Sequence, residues 1–307
     1  MLKVGVVGLG RMGGIHLRNY TEMPGVEVVG VVDVDAKARE AVAARFGVRT
    51  FATLDELLAF EPDAVSVCVP TFLHHEAGMR LLDRGVAAII EKPLAATAAE
   101  GEELVAKSRE KGVPLMVGHV ERFNPSIERV KSLLGDDVIS VHIERVSPYP
   151  VRIQDVGVIK DLGSHDIDLI RYLTGSDIKA VHAVASASFG KHEDSALIAA
   201  EMENGVLAQI TTNWVTPFRS RKISVACKSK FVVADLIAQS VTEYSPFSET
   251  DKTYSVREWP VVAREPIKAE LTAFLDALRN NTPVPITGED GLEVLKTFER
   301  IFAGLNK

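Results

Sequence analysis

The chain has 307 residues, 46% of them apolar and 25% charged, a balance that excludes a disordered or membrane-embedded protein and leaves room for two domain cores. A net charge of -7 excludes the basic stripe on which nucleic-acid binding depends. The two cysteines, Cys68 and Cys227, lie in strand-like apolar runs without CxxC spacing, so neither a disulfide framework nor a metal site is indicated.

Met1-Leu2-Lys3 runs straight into a first strand and leaves no space for a signal peptide, while no apolar run reaches membrane-spanning length. A cytoplasmic protein with no membrane and no nucleic-acid partner is expected. From Lys3 to Val117, short apolar runs alternate with amphipathic stretches, the pattern of a parallel sheet with crossover helices. Six strands are predicted, over Lys3 to Val7, Val26 to Val32, Arg49 to Phe51, Ala64 to Val69, Val86 to Ile90 and Val113 to Val117. Asp35 caps a predicted helix to Phe46, and Thr53-Leu54-Asp55-Glu56 and Thr97-Ala98-Ala99-Glu100 have capping-box spacing.

Near residue 120 the pattern changes. A helix capped by Asn124 and opened by Pro125 is followed by longer β-rich runs joined by hairpin-like turns. Ser195 to Met202 pairs with Val206 to Trp214 around Glu203-Asn204-Gly205, and Lys222 to Ala226 with Phe231 to Asp235. Helices are predicted over Leu162 to Leu173, Ile267 to Arg279 and Glu289 to Gly304. The expected fold is α/β: a doubly wound nucleotide-binding domain over 1–120, then a mainly antiparallel α/β domain over 121–307.

Gly8-Leu9-Gly10-Arg11-Met12-Gly13 places GxGxxG between a strand and a helix. Gly8 permits the tight turn, Gly10 lets the backbone approach a pyrophosphate and Gly13 lets the helix pack closely. The second strand ends in Asp33, where a carboxylate accepts from ribose hydroxyls and repels a 2'-phosphate, so NAD is favoured over NADP. Arg39 is the residue that could instead meet such a phosphate. The fourth strand runs into Pro70-Thr71-Phe72-Leu73-His74; Thr71 is placed to bond the cofactor, and His74 is either near the nicotinamide half or a buried polar group. The fifth strand ends in Glu91-Lys92-Pro93, which puts an amine at the carboxyl end of a parallel strand, where ligands lie.

In the second domain, Asp161, His165 and Asp168 follow i, i+4, i+7 and share one face of a helix, while Asp166 points elsewhere. An imidazole flanked by carboxylates suits a general acid or base; equally, Asp161 can cap the helix while His165 serves a structural carboxylate.

In this order, the fingerprint, Pro-Thr-x-x-His, Glu91-Lys92-Pro93 and Asp161-x-x-x-His165 resemble the Gfo/Idh/MocA family of oxidoreductases. The resemblance spans both domains. It implies a Rossmann domain, a second α/β domain with a large open sheet that often mediates oligomerisation, and NAD(P)-dependent oxidation of sugar or cyclitol alcohols. Lys92, Asp161 and His165 then inherit the catalytic roles, and a homo-oligomer, dimer or tetramer, is expected. A narrower likeness, to the UDP-N-acetylglucosamine 3-dehydrogenases, is carried by Gly118-His119-Val120-Glu121-Arg122-Phe123-Asn124-Pro125, Pro148-Tyr149-Pro150 and Arg152. It implies oxidation of a sugar nucleotide to its 3-keto derivative, with Arg122, Asn124, Arg152 and Lys160 beside Asp161 and His165 on the substrate. A dehydrogenase of a free sugar or inositol, and a non-catalytic NAD-sensing protein, are the rival readings.

Overall fold

The structure is a computed structural model that describes residues 1–150 and 156–305. The chain divides into two compact units, one built from Met1–His119 and Ile267–Leu295, the other from Val120–Pro266 and Lys296–Lys307.

The first unit is a six-stranded parallel sheet in the order β3-β2-β1-β4-β5-β6, from β1 (Leu2–Val7), β2 (Val26–Val32), β3 (Thr50–Phe51), β4 (Ala64–Val67), β5 (Ala87–Glu91) and β6 (Leu115–Gly118). All six predicted strands form. β4 and β5 are buried along their whole lengths, as central strands covered on both faces must be. Each fully buried Val or Ile, such as Val6, Val31 and Ile89, contributes about 1.5–3 kcal/mol of burial.

The crossover helices start where the caps place them. After α1 (Arg11–Glu22), α2 (Ala36–Phe46) opens on Asp35, whose side chain accepts from Lys37 N, and stops at Gly47 with φ +67°. Thr53 and Glu56 form a full capping box on α3 (Leu54–Leu58). Beyond α4 (His74–Asp83), α5 (Ala98–Lys111) is capped by Thr97 and ends at left-handed Gly112.

The division of the chain differs from the sequence expectation of a single cut near 120. After the second unit the chain returns: Val117 N donates to Ile286 O, and Met116 bridges Thr287, extending the β6 edge. Below it in sequence, α9 (Pro266–Asn280) buries Leu271, Phe274 and Leu275, and its Arg279 donates to Pro24 O and Gly25 O. α10 (Gly288–Leu305) starts in the first unit, and its residues from Lys296 belong to the second.

The second unit is an eight-stranded sheet, and α6 (Pro125–Leu133) leads into it. Its strands are β7 (Val138–Val146), β8 (Ile178–Ser186), β9 (Ser195–Met202), β10 (Leu207–Asn213), β11 (Ser220–Cys227), β12 (Phe231–Asp235), β13 (Ser240–Tyr244) and β14 (Val256–Trp259). The order is β14-β13-β12-β11-β7-β10-β9-β8, and every neighbouring pair is antiparallel except β7 with β10. Both predicted hairpins are present. Alternation fixes the faces: Ala196, Ile198, Ala200 and Met202 of β9 are buried, while Leu197 and Ala199 are exposed. The helix expected over Leu162 to Leu173 forms as α8 (Gly163–Thr174), and a short helix that was not expected, α7 (Val158–Asp161), precedes it and meets it at Leu162. No helix among the described residues is long and apolar enough to cross a membrane.

Candidate active site

Gly8 ends β1 at φ +89°, and a Cβ there would stand 2.6 Å from Cys68 O. A Cβ on Gly13 would stand 1.7 Å from Gly8 O, so α1 lies directly on the turn. Gly10 is the helix N-cap; it provides no side-chain cap, no acidic residue follows in the first turn, and a Cβ at Gly10 would meet nothing within 4 Å. The amides of the first helical turn are therefore open to an anion from a bare backbone approach. Arg11 is exposed beside them, and Leu9 and Met12 are half-buried.

Asp33 closes this cradle. Its Oδ2 accepts from Leu9 N at 2.6 Å and its Oδ1 from Asp35 N at 2.8 Å, which ties the glycine turn to the end of β2. Each oxygen keeps a second acceptor position, the requirement for bonding ribose hydroxyls. Arg39 donates to Asp33 O at 2.7 Å, and the neighbouring Val34 is 91% exposed, an apolar surface beside that acceptor. The bare helix start, the glycine turn and this carboxylate together fit a dinucleotide, its pyrophosphate on α1 and its adenosine ribose at Asp33.

After β4, Pro70 is exposed and Thr71 opens a single 3-10 turn. His74 is 1% exposed, its Nδ1 2.8 Å from Pro93 O and its Nε2 2.9 Å from Val69 O. Burial pushes its pKa down, against the pull of those carbonyls and Glu91. His74 thus sits as a buried polar group between the loop after β4 and the loop after β5.

Lys92 follows β5, half-buried, with a cis peptide bond to Pro93. Beside it runs a buried chain of polar groups. Tyr20 Oη lies 2.8 Å from Ser66 Oγ, Ser66 Oγ 3.0 Å from His16 Nδ1, and His16 Nε2 3.1 Å from Glu91 Oε1. One proton order satisfies all of them: Tyr20 donates to Ser66, Ser66 to His16, and His16 Nε2–H to the carboxylate. Burial alone would raise the Glu91 carboxyl, but the His16 hydrogen bond, with Lys92 adding its charge, holds it below the ordinary carboxylate range. Gly118 pairs with Glu91 across the sheet, and a Cβ there would crowd the carboxylate at 3.3 Å. His16, Cys68 and Glu91 have ligand-type atoms within 4.8 Å of one another. Burial together with Glu91 pushes the Cys68 thiol well up.

In the second unit Asp161 is the last residue of α7, and His165 lies in the first turn of α8; both are half-buried. Two buried ion pairs hold α8. Arg145 of β7, 1% exposed, donates through Nε to Asp166 Oδ1 at 2.7 Å and through Nη1 to Glu121 Oε1 at 2.8 Å. Arg122 forms a two-pronged pair with Asp168 at 2.8 and 2.6 Å and lies over the Tyr172 ring. Against the cost of burial, Arg145 and Arg221 keep Glu121 below its ordinary range, whereas Asp166 is pushed up by its own burial. Residues 166 and 168 point about 200° apart on a helix, so the two pairs fix the rotation of α8 and with it the direction of His165.

Asp168, on the same face of α8 as His165, carries the ion pair with Arg122. Arg122 is correspondingly committed to Asp168, and Asn124 caps α6 while donating to Leu236 O, so both have structural tasks. Lys160 is half-buried with its ammonium over the Phe302 ring at 5.5 Å, and Arg152 falls outside the described residues. His16, Val34 and Arg145 were not anticipated. For His16 a signal existed: Gly13, His16, Leu17 and Tyr20 follow i, i+3, i+4, i+7, the buried stripe of α1.

The family model for the NAD-binding Rossmann fold of Gfo/Idh/MocA oxidoreductases matches residues 2–119, and that for the Gfo/Idh/MocA C-terminal domain matches residues 136–232. The UDP-N-acetylglucosamine 3-dehydrogenase of Acidithiobacillus ferrooxidans is 30% identical over 96% of this chain and 94% of its own length. A solved structure of that enzyme superposes with a TM-score of 0.92 at 28% identity, covering 99% of this chain and 97% of that one. GenD2 from gentamicin A biosynthesis, solved in complex with NAD, gives a TM-score of 0.87 at 27% identity over 100% of this chain and 94% of its own. Inositol 2-dehydrogenase 2 of Saccharopolyspora erythraea is 32% identical over 68% of this chain and 66% of its length. With its glycine cradle and both family domains in place, the chain belongs to the Gfo/Idh/MocA family and is an NAD-binding oxidoreductase.

Proposed function

We propose that the protein oxidises the C3 hydroxyl of UDP-N-acetylglucosamine to a ketone, with NAD as the preferred cofactor. The observation that carries this reading is the likeness, over nearly the whole of both chains, to the UDP-N-acetylglucosamine 3-dehydrogenase. Bound NAD supplies the hydride acceptor. The chain itself holds the dinucleotide through Gly8–Gly13, Asp33, Pro70 and Thr71. As the carbon gives up its hydride, Lys92 takes the hydroxyl proton, with His165 the alternative base and Asp161 orienting the group that acts. Arg122, Asn124, Arg152 and Lys160 contact the substrate, and the products are the 3-keto sugar nucleotide, NADH and a proton. The charge of Asp33 supports NAD over NADP.

The exposed face of the second sheet, with Leu197 on β9, Leu207 on the neighbouring β10 and Phe231 on β12 each about half-exposed, supports pairing with a second copy as a homo-oligomer. Cys68 and Cys227 are both free thiols, in keeping with a cytoplasmic location.

The test is NADH formation with UDP-N-acetylglucosamine against a panel of free sugars and inositols, in wild type and Lys92→Met. Turnover on the sugar nucleotide that Lys92→Met abolishes, with NAD affinity kept, is the expected result. Turnover on inositol alone would favour the second reading, which the inositol dehydrogenase relative motivates.

A further inference from the structure

Because β7 and β10 run parallel, their carboxyl ends reach one rim of the second sheet, where the β8–β9 connection and the start of β11 also lie. Three aromatic rings meet there. Trp214, 2% exposed, stands edge-on to Tyr149 at 5.8 Å between centroids; Tyr149, 37% exposed, stands 6.0 Å from Phe189, which is 69% exposed. The rings form a cluster graded from the core to solvent.

The outermost ring is held in place. Asp194, 0% exposed, accepts from Ser188 N at 2.6 Å and Phe189 N at 2.7 Å, and its own carbonyl accepts from Trp214 N. At Gly190 a Cβ would stand 2.4 Å from Tyr149 Oη, so the glycine makes room for the ring behind Phe189. A buried carboxylate that fixes the backbone of an exposed phenylalanine is an expensive way to leave an apolar face in water. The same loop is tied to the element carrying Asp161, since Glu193 accepts from Val158 N through its carbonyl and from Ile159 N through Oε1. Lys191 and Arg219, both exposed, lie in the loops of this rim.

We infer that Phe189, backed by Tyr149 and Trp214, is the stacking platform for the planar base of a nucleoside diphosphate, with Lys191 and Arg219 supplying charge for its phosphates. The exposed ring, the cations in the loops of the same rim and the tether to α7 favour this occupant over a second copy of the chain. The inference deepens the sugar-nucleotide reading and rests on it for the identity of the substrate.

The experiment uses the full chain and measures binding of UDP, with N-acetylglucosamine 1-phosphate as the ligand without a base, together with oligomeric state by light scattering. Phe189→Ala should weaken UDP about tenfold, in line with base–aromatic stacking. Phe189→Trp should retain the affinity, while binding of N-acetylglucosamine 1-phosphate and of NAD and the oligomeric state stay as in wild type. The inference is overturned if wild type does not bind UDP, if Phe189→Ala binds it unchanged, or if that variant alters only the oligomeric state. Turnover of UDP-N-acetylglucosamine with an unchanged KM in Phe189→Ala would remove the platform and leave the proposed function standing. UDP binding lost in Phe189→Ala, in a protein that oxidises no sugar nucleotide, would keep the platform and remove the function.

Discussion

His16 Nε2 and Glu91 Oε1 stand 3.1 Å apart, joining the first crossover helix to the strand that presents Lys92. The imidazole is wholly buried and the carboxylate nearly so, and neither can be solvated in place of the other. His16→Leu strands a buried carboxylate and should cost about 3 kcal/mol, read as a fall in the thermal midpoint. Combining it with Glu91→Gln should recover part of that loss, and a double-mutant cycle measures the coupling.

The same carboxylate sets a pH dependence. Held below its ordinary value of 4.5 in the folded chain, Glu91 contributes stability that is fully present above that value and lost as pH falls through its depressed folded pKa. Glu121 acts in the same direction in the second unit. Glu91→Gln should lower the thermal midpoint at neutral pH and flatten its decline on acidification. A set of melting curves from neutral pH down to below 4 checks both features.

Asp33→Asn keeps an oxygen acceptor for Leu9 N and removes the charge that a 2'-phosphate would face. Relief of that like-charge contact, with Arg39 already seated on Asp33 O, should lower the KM for NADP about tenfold or more. The KM for NAD should rise over the same pair of assays. An unchanged ratio would remove Asp33 from the discrimination.

Arg122 and Arg145 hold α8 from two sides, and conservative changes separate positioning from bulk stability. Arg122→Lys keeps the charge on Asp168 but loses the two-pronged geometry, so kcat should fall more than KM rises while the fold persists. Arg145→Met leaves Asp166 and Glu121 without their shared guanidinium and should cost about 3–5 kcal/mol. Steady-state kinetics on the first variant and thermal unfolding of the second test the pair.

The contrast between what the chain announces locally and what it settles at a distance is plain in particular residues. Asp35, Thr53, Thr97 and Asn124 cap the helices assigned to them because a cap is a bond to an amide two or three residues on. The glycine cradle was equally legible, since a turn with positive φ and a helix packed on it demand glycine at fixed spacing. Partner choice over long separations was not. Arg122 finds Asp168 46 residues away, and Ile286 returns to Val117 beside β6, with no composition signal at either end. The break at Leu162, which divides Asp161 from the helix of His165, lies within an unbroken helical periodicity. The carbonyls of Val69 and Pro93 that meet the His74 ring come from two separate loops, which local spacing does not show.

One parallel pair, β7 with β10, interrupts an otherwise antiparallel sheet and gathers connecting segments on a single rim. Such segments can lengthen, shorten or change residue without disturbing a ladder that is hydrogen-bonded elsewhere. The architecture is therefore modular in a practical sense: exchanging the exposed side chains at 189, 191 and 192 or at 217–219 alters the rim while Glu193, Asp194 and Trp214 keep its ties to α7 and to the sheet.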